Sequence, residues 1–68
     1  MITYDLWETI IGNDEFIGVF DSLKDAKLIG GFRHKKLDGI SRSSVSIEWV
    51  EDGDNHYIEK RGDEEEWR

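Results

Sequence analysis

The side chains from which nucleophilic or acid–base chemistry could be built are Ser41, Ser43, Ser44, Ser46, His34 and His56. A serine attacks only when a base is held against its hydroxyl and a third group orients that base. No motif in the chain fixes these residues together. Alternation along a strand accounts for Ser44 and Ser46 as its wet side. The reading is therefore of a protein that is not an enzyme, with no catalytic residues.

Glu51, Asp52, Asp54 and Asn55 resemble the oxygen-rich opening of a calcium loop. Such a loop needs glycine at its sixth position and a bidentate glutamate at its twelfth. Counting from Asp52, those positions hold Tyr57 and Asp63, so the match fails. The chain has no cysteine, which rules out disulfides and thiolate metal sites. His56 beside the acidic run falls short of the three or four convergent ligands of a transition-metal site. Neither a metal nor a cofactor is expected.

The charged residues carry more information. Sixteen Asp and Glu face nine Lys and Arg, a formal net charge of −7. Residues 1–23 hold Asp5, Glu8, Asp14, Glu15 and Asp21 and no Lys or Arg. Residues 24–42 hold six basic side chains against Asp25 and Asp38. Residues 43–68 hold nine carboxylates against Lys60, Arg61 and Arg68. Charge sorted in this way suits docking on a partner of opposite sign.

Five elements must position these groups. Ile2 to Ile11 alternates as a strand, with Ile2, Tyr4, Leu6 and Ile10 on one face and Thr3, Asp5, Trp7 and Thr9 on the other. Gly12–Glu15 has turn chemistry, and Phe16–Phe20 resumes as a second strand in which Gly18 marks a bulge or a close contact. Ser22-Leu23-Lys24-Asp25 reads as a capping box opening a helix. Its packed stripe would be Leu23, Ala26, Ile29 and Phe32 or Arg33. The spacing predicts continuation through Gly30-Gly31 to about Lys36, ended by Gly39.

Ser43–Val50 alternates most clearly, with Val45, Ile47 and Trp49 on one side and Ser44, Ser46 and Glu48 on the other. Asp52-Gly53 is the expected pivot of a second hairpin, returned by His56–Lys60. The order is ββαββ, an α+β fold with a four-stranded, mainly antiparallel sheet and one helix on one face. Residues 1–62 are expected to form one domain and 63–68 an acidic C-terminal tail, with Trp67 untied by default, folded back on the open sheet face, or held out as an anchor for a partner. The expected core is Leu6, Phe20, Ile29, Ile47 and Trp49.

No run approaches the roughly 20 apolar residues of a membrane span, and the start lacks a signal-peptide pattern. The expected location is cytoplasmic, with no membrane partner. The functional expectation is a small non-catalytic module whose acidic sheet face occupies a basic, nucleic-acid-binding surface of a partner protein. Asp5, Trp7, Glu8 and Glu48 are the expected contact residues. A homodimer through the open sheet face is the alternative. Nucleic-acid binding through a basic helix end of Arg33, Lys35, Lys36 and Arg42 ranks lower, because a pI of about 4.6 opposes a polyanion.

Overall fold

Two tight turns decide how the strands meet. In the computed structural model, which describes residues 1–68, Ile11-Gly12 and Asp52-Gly53 have φ of 48° and 81°, and 53° and 81°. Positive φ at both central residues defines the hairpin turn that matches strand twist. The first turn is thus shorter than Gly12–Glu15, and Asn13 to Glu15 pair as strand.

The elements are β1 (Tyr4–Ile10), β2 (Asn13–Phe20), α1 (Leu23–Lys35), β3 (Ser43–Glu51) and β4 (Asp54–Arg61). Four antiparallel strands form one sheet in the order β2-β1-β3-β4, crossed by the single helix, so the chain has the ββαββ α+β fold. The hairpins join through β1 and β3, with Leu6 opposite Ile47 and Ile47 opposite Ile58.

Ser22 caps α1, its Oγ accepting from the Asp25 amide at 3.1 Å. Asp25 in the first turn and Arg33, His34 and Lys35 in the last complement the helix dipole. The helix runs through both glycines to a cap at Lys36, and Gly39 turns the chain at φ 80°.

The buried apolar centre is Leu6, Ala26, Leu37, Val45 and Ile47, with Tyr4, Phe20, Leu23, Trp49, Ile58 and Trp67 packed around it. Ile29 departs from expectation and is 36% exposed. The helix buries Ala26, Gly30 and His34 instead. At Gly30 no side chain is needed, because the Trp67 ring fills the space beside it.

The 63–68 segment is tied down, which decides between a free and a docked Trp67. The Glu59 and Arg68 amides each donate to the other's carbonyl at 2.8 Å, pairing the segment to the β4 edge. That pairing sets the Trp67 ring beside Gly30 and Leu6. Gly62, which precedes the segment, is buried, and a Cβ there would meet the Ser43 Oγ and lie 2.8 Å from the Ile40 carbonyl oxygen. His34 pins the helix end to the same strand, its Nε2 lying 2.6 Å from the Arg61 carbonyl. A carbonyl only accepts, so Nε2 carries the proton.

Candidate functional site

The helix covers one side of the sheet, and side chains alternate across it, so the register places each candidate. Asp5 is paired with Glu48 and Trp7 with Ser46 across β1 and β3. Glu48 faces Tyr57 and Ser46 faces Glu59 across β3 and β4. All of these lie on the side away from α1.

A β-bulge extends this face onto β2. Leu6 pairs with Gly18 and Trp7 with Phe16, leaving Ile17 between them. The extra residue turns Ile17 toward the core and Phe16 outward. Phe16 then meets Trp7 edge-on, with ring centroids 5.2 Å apart. Gly18 therefore belongs with the bulge, and its missing Cβ would make only ordinary contact with Phe20.

Trp7, Thr9, Asp14, Ser46, Glu48 and Tyr57 line one cleft of about 210 Å³. Ser46, which the alternation predicts on a wet face, is buried where it lines this cleft with Trp7 and Tyr57. The Tyr57 hydroxyl donates to Glu59 Oε2 at 3.0 Å. Desolvation, then this bond to a carboxylate, raises the Tyr57 pKa above the ordinary 10.0. The phenol is thus neutral at neutral pH and remains a donor.

Glu8 departs from this group. It lies on the helix side of the sheet and is buried, and its Oε2 accepts from Arg33 Nε at 2.8 Å. Arg33 Nη2 adds a longer contact to Oε1 at 3.4 Å. This hydrogen bond is the main reason the Arg33 pKa is raised. One strand residue shifts the face: Trp7 points out, so Glu8 must point in.

The same pair alters the basic alternative. Arg33 is engaged with Glu8, while Lys35, Lys36 and Arg42 stay exposed. The Arg42 carbonyl accepts from the Ile11 amide at 3.0 Å, which places Arg42 at the first hairpin turn.

Sequence alternation missed Phe16, Asp14 and Tyr57 as members of the open face. Tyr57 could have been found from its opposition to Ile58 in β4. Phe16 could not, since its direction depends on the bulge.

The open face is therefore built of rings and carboxylates: Phe16, Trp7 and Tyr57 among Asp5, Asp14, Glu48 and Glu59. A lysine or arginine side chain is the chemical complement of such a surface, through ring faces and charge-assisted hydrogen bonds. No helix is long and apolar enough to cross a membrane. No protein-family model, curated protein or solved structure matches the chain.

Proposed function

We propose that the protein is a non-catalytic binding module of the cytoplasm whose open sheet face docks on a basic surface of a partner protein. The observation that carries this reading is the single cleft in which Trp7 and Tyr57 stand beside Asp14 and Glu48. An aromatic group at the centre of an interface supplies lasting affinity, and surrounding charge supplies orientation and encounter rate. Asp5, paired with Glu48 one strand away, extends the acidic rim.

A basic surface that accepts this face is of the kind that ordinarily holds nucleic acid. The module then acts as an inhibitor, by occupying that surface in place of phosphates. Glu8 has no part in contact, being held by Arg33 beneath the helix. The supporting geometry is independent of the net charge, because it rests on which carboxylates share a face with rings.

The test is surface plasmon resonance against a basic nucleic-acid-binding protein retained by the wild type from its host's lysate. Trp7→Ala is expected to raise the off-rate at either salt concentration, and Asp5→Lys to lower the on-rate by a factor that shrinks as salt rises. An oligonucleotide ligand of the partner is expected to compete. Unchanged kinetics for both variants would overturn the proposal, as would loss of binding only on alanine substitution of Lys35 and Lys36. A dimer in light scattering of the isolated protein, lost in Trp7→Ala, would favour self-association instead.

A further inference from the structure

Gly31 has no structural reason to be glycine. It lies inside α1, where glycine is disfavoured relative to alanine. Its φ is not left-handed, and a Cβ built on it would meet nothing within 4 Å. Its neighbour Gly30 differs entirely, being buried against Trp67 and Leu6. What Gly31 does face is a second cleft, of about 230 Å³, on the helix side of the molecule.

That cleft is lined by Lys27, Phe32 and Lys35 of the helix, by Lys60 of β4 and by Glu65 of the closing segment. None of the three lysines takes part in an ion pair. Three ammonium groups against one carboxylate leave an excess of two positive charges. A phosphate monoester carries about −1.5 to −2 near neutral pH, whereas a carboxylate carries only one charge. Charge balance thus favours the phosphate. Phe32, 55% exposed with the Lys35 ammonium 5.7 Å from its ring centre, offers a flat apolar surface beside that charge.

We infer that the cleft around Gly31 binds a phosphate monoester carried on a planar ring. The phosphate sits among Lys27, Lys35 and Lys60, and the Lys35 ammonium turns from the Phe32 ring toward it, leaving that ring for the planar group of the ligand. The missing side chain at Gly31 leaves room for the ligand to lie close against the helix, a use of glycine that needs no unusual backbone angle. The cleft is smaller than the roughly 300 Å³ of pockets that enclose a small molecule, so the ring remains half outside. The acidic open face lies on the other side of the sheet, and screening over about 10 Å at 0.1 M salt weakens its effect on the cleft. This site is separate from the Trp7 cleft, and neither depends on the other.

Amide chemical-shift mapping with adenosine 5′-monophosphate, adenosine and inorganic phosphate tests the assignment. The monophosphate is expected to move the amides of Lys27, Gly31, Phe32, Lys35 and Lys60. Inorganic phosphate should move the lysine amides more weakly, and adenosine should bind more weakly than the monophosphate. Gly31→Ala is expected to weaken the monophosphate about tenfold while raising the urea midpoint, a split that damage to the fold cannot produce. Lys27→Ala should weaken binding without loss of fold. Absence of shifts at the cleft, or wild-type affinity in Gly31→Ala, would overturn the inference. Tighter binding there of a triglutamate peptide than of the monophosphate would overturn the choice of phosphate.

Discussion

A Cβ on Gly30 would stand 2.9 Å from the Trp67 ring, which is closer than folded proteins tolerate without rearrangement. The helix and the C-terminal segment therefore meet through a position where any side chain is excess. Gly30→Ala is expected to destabilise by about 1–3 kcal/mol through overpacking. Gly31→Ala, one residue on and open to solvent, should stabilise by about 0.5–1 kcal/mol. Trp67→Ala should cost about 3 kcal/mol and remove most of the penalty at Gly30 in the double variant. Urea melts of the four variants measure all of this, and a free tail would leave Trp67→Ala near wild type.

The strand types, the capped helix and the second turn were legible because each is written locally. Ser22 with Asp25, the alternation through Val45 and Ile47, and Asp52-Gly53 all act within a few residues of themselves. The inward face of α1 was not legible. Hydrophobic spacing selected Ile29, but the space under the helix is taken by Trp67, more than thirty positions away in sequence. Likewise Asp5, Trp7 and Glu48 could be placed on one face by period-two reasoning. Glu8 follows the same rule to the opposite face, where only the packed helix supplies Arg33.

The Glu8–Arg33 pair makes an asymmetric prediction. The Glu8 side chain is 8% exposed and that of Arg33 34%. Removing arginine strands a carboxylate away from water, whereas removing the carboxylate lets the guanidinium rehydrate. Arg33→Met is expected to cost about 3 kcal/mol. Glu8→Gln should cost only about 1–2 kcal/mol. Equal losses in denaturant melts would mean that both groups are equally wet.

Ile11 is a β-branched residue held at φ 48°, where side chains of its kind crowd the backbone. Its side chain is 60% exposed, so little packing offsets the strain. Ile11→Asn creates the preferred Asn-Gly hairpin turn and should stabilise by about 1 kcal/mol. A lower thermal midpoint for this variant would show that the isoleucine makes a stabilising contact.

The raised Tyr57 pKa fixes the sign of a pH effect. A phenol titrating higher in the folded protein than in the unfolded chain favours folding while it stays protonated. That contribution is present below the ordinary value of 10.0 and is lost as pH rises through the higher folded value. Phenolate absorbance should show Tyr57 ionising earlier in Glu59→Gln, because the accepting carboxylate is gone. Tyr57→Phe should remove the late phase altogether. No shift in the Glu59→Gln titration would leave desolvation as the sole cause.

The open sheet face as a receptor for basic side chains is tested most directly by amide mapping with a short Lys/Arg-rich peptide at two salt concentrations. The account predicts shifts centred on Asp5, Trp7, Ser46, Glu48 and Tyr57, weaker at high salt and abolished by Trp7→Ala. Shifts scattered over the acidic residues Glu51, Asp52, Asp54 and Glu64–Glu66, unchanged by Trp7→Ala, would contradict it, since the peptide would then be answering to net charge alone.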